Sequence, residues 1–121
     1  MLPVIMSLAA ALFSGAASAY NSGNALFAAM NSSQEQTFAM MYVAGAAEGY
    51  QTGHIIGYMR GSRAKVVENS KPGDGGLCVP PSVNYGQLSD VVKKWLSENP
   101  ARRHEPPISL IFSALNSAFP C

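Results

Sequence analysis

Few side chains in this 121-residue chain are suited to chemistry near neutral pH: His54, His104 and the two cysteines, Cys78 and Cys121. Hydrolysis through a nucleophile needs that nucleophile beside a base, general acid–base chemistry needs a carboxylate in a pocket, and phosphoryl transfer needs a glycine cradle. Gly-x-Ser-x-Gly is absent, and so are the Walker and dinucleotide glycine patterns. A zinc set of Cys78, Cys121, His54 and His104 can be written down, but its spacings match none of the short-pair patterns of structural zinc. An enzyme would require a pocket joining a histidine to a carboxylate such as Glu48 or Glu105, and nothing in the pattern asks for one. The expectation is a chain with no catalytic residues, no metal and no cofactor.

Compartment decides what the cysteines do. Met1 to Phe13 is nearly all apolar, and Ala17-Ser18-Ala19 has the small-x-small form of a leader-cleavage site. This predicts a leader over residues 1–19 and one domain over 20–121, since the apolar run is short of the roughly 20 residues of a membrane anchor. An exported chain meets an oxidising environment, so Cys78 and Cys121 are expected to form a disulfide. Closing a loop of that length contributes about 4 kcal/mol in the chain-entropy model, a large share of the stability of so small a domain. Net charge is +1, with eight basic and seven acidic residues spread along the chain. That excludes a basic footprint for nucleic acid and an acidic tail, and it directs attention to partners recognised by shape.

The elements that must position these residues read as helices. Asn21-Ser22-Gly23-Asn24 opens a short helix with Leu26, Phe27 and Met30 on its apolar face. Ser32-x-x-Glu35 or Ser33-x-x-Gln36 forms a capping box ahead of a second, long helix reaching about Gly61. Within it Gly45, Gly49, Gly53, Gly57 and Gly61 recur every fourth residue. Each glycine costs about 0.8–1 kcal/mol against alanine in a helix, which predicts close approach by another helix, within the monomer or across a dimer. Glu48, Gln51, Thr52, His54 and Arg60 interrupt the stretch and argue against a membrane span.

From Ser62 to Val83 the periodicity is lost, and Asn69 to Gly76 is a cluster of turn formers expected to be a surface loop. Asn84 with Gln87 three residues on predicts a third helix start, and Leu88, Val91, Val92, Trp95 and Leu96 form a one-sided stripe ended by Asn99-Pro100. A last helix begins near Pro106-Pro107 with Ile108, Ile111, Phe112, Leu115 and Phe119 on its stripe. No strand-like alternation appears. The fold expected is all-α, about four helices around one small core and stapled by the disulfide.

Several residues carry two readings. His54 reads as a histidine hydrogen-bonded at a helix surface or interface, ahead of a catalytic role. Arg102, Arg103 and His104 follow a helix end, where basic groups meet the dipole and free carbonyls; equally, they can form a basic corner that meets a partner's carboxylate. Trp95 belongs to the core stripe, ahead of an interface anchor. Tyr50, Tyr58 and Tyr85 are less committed. The loop around Lys71 and Asp74 is a candidate recognition element, weighed against an ordinary connector.

Cys78-Val79-Pro80-Pro81, Gly86-Gln87, Pro100-x-Arg102-Arg103-His104 and the closing Phe119-Pro120-Cys121 together resemble the Rap/Tai-type immunity proteins of type VI secretion. Upstream, Phe38-Ala39-Met40-Met41-Tyr42-Val43-Ala44-Gly45 is similar to a segment of that family. The resemblance is close from Cys78 to Cys121 and looser from Asn24. It implies a helical periplasmic protein, often a homodimer, that is not an enzyme and that blocks the active-site cleft of a secreted peptidoglycan amidase of the cysteine–histidine type. Family members usually carry a second disulfide, and this chain has Met30 and Ala39 at the matching positions. Two alternatives are a periplasmic acid-stress chaperone, which also uses one disulfide across a helical core, and an enzyme using one of the histidines.

Overall fold

The computed structural model describes residues 19–63, main chain only beyond 57, and 76–121. Residues 1–18 of the expected leader, and Lys71 and Asp74 of the expected recognition loop, lie outside the described residues. Among those described there are four α-helices and no strand: α1 (Gly23–Met30), α2 (Gln36–Arg63), α3 (Tyr85–Glu98) and α4 (Pro107–Ala118).

Each start has a local cause. Ser22, extended at φ −157° and ψ 168°, accepts the Ala25 N–H on its Oγ and caps α1. Asn84 does the same for α3, its Oδ1 accepting from the Gln87 N–H at 2.8 Å. The turn before α2 begins where the Gln36 N–H donates to the Ser32 carbonyl at 2.9 Å. Pro107 occupies the first position of α4, where a missing N–H costs nothing. At the other end of α3, the Asn99 side chain donates back to the Trp95 carbonyl at 2.8 Å, and a single 3₁₀ turn, Pro100–Arg102, follows.

The core is one cluster fed by all four helices. Leu26, Val43, Val92, Leu96, Leu110, Ile111 and Leu115 are its largest fully buried side chains. Truncating any one of the leucines to alanine would cost about 2–5 kcal/mol through lost transfer energy and the cavity left behind. Trp95 packs against this cluster from its edge, half-buried. Met30 and Ala39 are both buried within it.

One stripe differs from expectation. On α4 the buried set is Pro107, Leu110, Ile111, Ala114 and Leu115, while Ile108 faces outward at 39% exposure. Two overlapping sets at helical spacing were available, and the one containing small Pro107 and Ala114 lets α4 lie closer to its neighbours.

The disulfide Cys78–Cys121 is formed, with Cα atoms 5.1 Å apart. It joins the extended segment after Gly76 to the end of α4, and the Cys78 N–H donates to the Phe119 carbonyl at 3.3 Å beside it.

Candidate partner-binding surface

The basic corner is built mostly inward. The Arg102 guanidinium forms a forked pair with Glu105, Nε to Oε2 at 2.8 Å and an Nη to Oε1 at 3.2 Å, and it lies 5.1 Å over the Trp95 ring. This hydrogen bond holds the Glu105 carboxyl below its ordinary range against the opposing effect of desolvation, with the charges of Arg102 and His104 adding to it. Arg103 stacks 4.6 Å over Phe27 of α1. The carbonyls of the same turn cap α1: Arg103 O accepts from the Asn24 N–H at 2.7 Å and Glu105 O from the Gly23 N–H at 3.0 Å. With Ser22 Oγ accepting the Ala25 N–H, the first three N–H groups of α1 are all satisfied. Arg102 and His104 are exposed, and Arg103 is half-buried.

A second feature lies between α2 and the segment leading into α3. The Gln51 side-chain amide bonds Leu77 twice, donating through Nε2 to its carbonyl and accepting its N–H on Oε1 at 3.1 Å. This strand-like pairing holds residues 76–79 extended against α2, and the buried Leu77 anchors them in the core. The pairing leaves a groove of about 440 Å³, floored by Leu77, Val79, Val83 and Leu88 and edged by Glu48, Thr52 and Tyr85. At its rim the Tyr85 hydroxyl donates to the Glu48 carboxylate. That hydrogen bond, with the adjacent negative charge, raises the Tyr85 pKa. Sequence reading left Tyr85 uncommitted and missed Gln51 as an anchor; no local signal points to either, because both partners come from distant elements.

The glycines of α2 depart from the reading of close packing within the monomer. A Cβ placed at Gly45, Gly49, Gly53 or Gly57 meets nothing within 4 Å. The core face of α2 is instead Ala39, Val43, Ala44 and Ala47, and the glycines lie on or beside the opposite face. The glycine that does permit close approach is Gly23, where a Cβ would fall 2.2 Å from Leu110 Cδ1 and 2.9 Å from the Arg103 carbonyl oxygen.

His54 stacks on Tyr50 with centroids 6.3 Å apart, and Tyr50 packs on Phe112 of α4 at 4.3 Å. Its Nε2 is buried without a hydrogen-bond partner. Among the described residues neither histidine is hydrogen-bonded to Glu48 or Glu105, which pair with Tyr85 and Arg102. No three His, Cys, Asp or Glu side chains in the described residues gather as metal ligands, and no described helix is long and apolar enough to cross a membrane.

Comparison with known proteins returns one result that bears on these surfaces. No curated protein and no solved structure matches the chain. The family profile described as Rap1a immunity proteins matches residues 22–121, from the α1 cap to the terminal cysteine, taking in the capped corner, the groove and the disulfide alike. By that match the chain belongs to the Rap1a immunity protein family, whose members protect against secreted toxins.

Proposed function

We propose that this immunity protein acts in the periplasm, reached through a leader cleaved before Tyr20, and that it neutralises a type VI secretion peptidoglycan amidase by covering the active-site cleft. The family match over residues 22–121 carries the reading, and the oxidised Cys78–Cys121 pair supports an exported location. The partner is a protein toxin, and the immunity protein binds it without chemistry of its own.

The groove between α2 and residues 77–88 is the seat assigned to a toxin segment. Its floor is apolar, its wall is fixed by the Gln51–Leu77 pairing, and Tyr85 stands half-exposed at its edge as a rigid aromatic anchor. Lys71 and Asp74 precede this wall in the chain and are assigned to toxin contact with it. At the basic corner His104 is the residue free to meet a toxin carboxylate, with Arg102 and Arg103 turned to intramolecular partners.

The test is retention of partners on the processed, disulfide-bonded protein in a lysate of its own strain, read by mass spectrometry. A stoichiometric cell-wall hydrolase that loses activity on binding is the expected result. The variant Val83→Asp, which places a charge on the groove floor, is expected to release it. Retention of no hydrolase by folded bait would overturn the amidase reading, and undiminished binding by Val83→Asp would move the seat away from the groove.

A further inference from the structure

The segment that walls the groove has little main chain left to offer a partner. Both polar groups of Leu77 are taken by Gln51, the Cys78 N–H by the Phe119 carbonyl and the Val83 N–H by the Pro80 carbonyl. Pro80 and Pro81 have no N–H at all. An added strand pairs with alternate residues. In either register, 77-79-81 or 78-80-82, at most one N–H remains for it. The wall is therefore no template for an extended chain. A segment seated there must bring its own main-chain groups already satisfied, which for a short stretch means a helix.

Charge narrows the choice further. Among the described residues that line the groove, Glu48 is the only charged one, standing over a floor of Leu77, Val79, Val83 and Leu88. Its Oε1 accepts the Tyr85 hydroxyl, and among the described residues no cation pairs with it. An apolar segment laid across this rim would strip water from an unpaired carboxylate, which is unfavourable unless the segment carries a cation to meet it. An acidic segment would meet like charge and be turned away. The groove's 440 Å³ lies in the lower half of the range for ligand sites, about 300–1,000 Å³. That is room for the apolar side chains of about two helical turns, not for a whole helix.

We infer that the groove takes a helical toxin segment whose apolar stripe is flanked by lysine or arginine, the cation pairing with Glu48 at the rim. The inference rests on the seating of a toxin segment in this groove and adds what that segment must be. Tyr85 fixes the carboxylate through Oε1, which leaves Oε2 for the incoming cation. Glu48 and Tyr85 act together as the specificity element, and the floor supplies the apolar burial.

The test needs no toxin in hand. Two synthetic helical peptides of equal length serve as probes, each with a leucine stripe, one flanked by lysine and the other by glutamate. Each is titrated into the isotope-labelled, processed and oxidised protein at low ionic strength, and amide shifts are followed by NMR. Shifts are expected at Leu77, Val79, Val83 and Leu88, with the lysine peptide binding about fivefold tighter than the glutamate peptide. The protein's net charge of +1 does not favour a cationic peptide, so such a preference reports the local carboxylate. Glu48→Gln, which keeps an acceptor for Tyr85, should abolish the preference, and Glu48→Lys should reverse it. Glu48 is exposed, so both variants are expected to keep the parent's circular dichroism. No binding of either peptide up to about 1 mM, shifts that map away from the groove, or a lysine preference unchanged in Glu48→Lys would each overturn the inference. Capture of a hydrolase from the lysate is a separate result, so the immunity reading can stand where this one fails.

Discussion

The Asn24 main-chain N–H donates to the Arg103 carbonyl at 2.7 Å, and the adjacent Gly23 sits so close that a Cβ there would fall 2.9 Å from the same oxygen. The start of α1 is thus pressed onto the turn between α3 and α4, with Leu110 Cδ1 filling the remaining space at 2.2 Å from that Cβ position. Gly23→Ala forces the main chain and the fully buried Leu110 apart. A loss of about 1–3 kcal/mol is expected, as for other overpacking changes in a tight core. Urea unfolding measures it, and a variant as stable as the parent would show that this corner yields easily.

Among the described residues of α2, Gln51 is the side chain that bonds the main chain of the extended segment, and it bonds both polar groups of Leu77. Gln51→Ala leaves that N–H and carbonyl without their partner beside a buried side chain, at a cost of about 1–3 kcal/mol. The segment should loosen while α1, α3 and α4 stay packed. Hydrogen exchange checks this directly: the Leu77 amide is expected to exchange faster, with Leu96 and Leu115 little changed. A uniform change across all three would mean that the bond has no local role.

How much of this was readable in the sequence differs by element. The third helix was legible because Leu88, Val92 and Leu96 share a face with Val91 and Trp95, and Asn84 announces the start; the structure buries that face and uses that cap. For α4 the same rule offered two stripes, and ranking by size selected Ile108 over Pro107 and Ala114, which the packing prefers. The faces of α2 were hidden for a further reason: its core side is largely alanine and its outward side carries Phe38 and Met41, so apolar character does not separate them. Gly23 and Gln51 gave no sign at all. Their roles are set by Arg103, Leu110 and Leu77, residues remote in sequence that only the fold brings near. The basic triplet was legible as a helix-end feature, while the intramolecular partners of Arg102 and Arg103 depend on where Trp95, Phe27 and Glu105 stand.

The disulfide ties the extended segment after Gly76 to the end of α4. Replacing both cysteines by serine restores to the unfolded chain the freedom of a loop of 43 residues, a loss of about 4 kcal/mol in the chain-entropy model. With only one such bond in the domain, that is a large part of the 5–15 kcal/mol that typically holds a small domain folded. The variant is expected to unfold at markedly lower temperature, and dithiothreitol should bring the parent to the same midpoint. Equal midpoints for oxidised and reduced parent protein would contradict the structural role given to the bond.

The Arg102–Glu105 pair makes stability depend on pH with a defined sign. The hydrogen bond from Arg102 lowers the Glu105 pKa from its ordinary 4.5 in the folded state, desolvation opposes it, and the unfolded chain has no such partner. The unfolded state then binds more protons in that window. The contribution of the pair is present in full above the ordinary carboxylate pKa and is lost as pH falls through the depressed folded value. With Glu105 30% and Arg102 44% exposed, solvent and salt weaken the effect. Glu105→Gln, which cannot titrate, supplies the comparison: parent and variant unfolding midpoints should stand apart at neutral pH and converge on acidification below that window. A gap that stays constant with pH would mean that packing of the side chain, and not its charge, holds the corner.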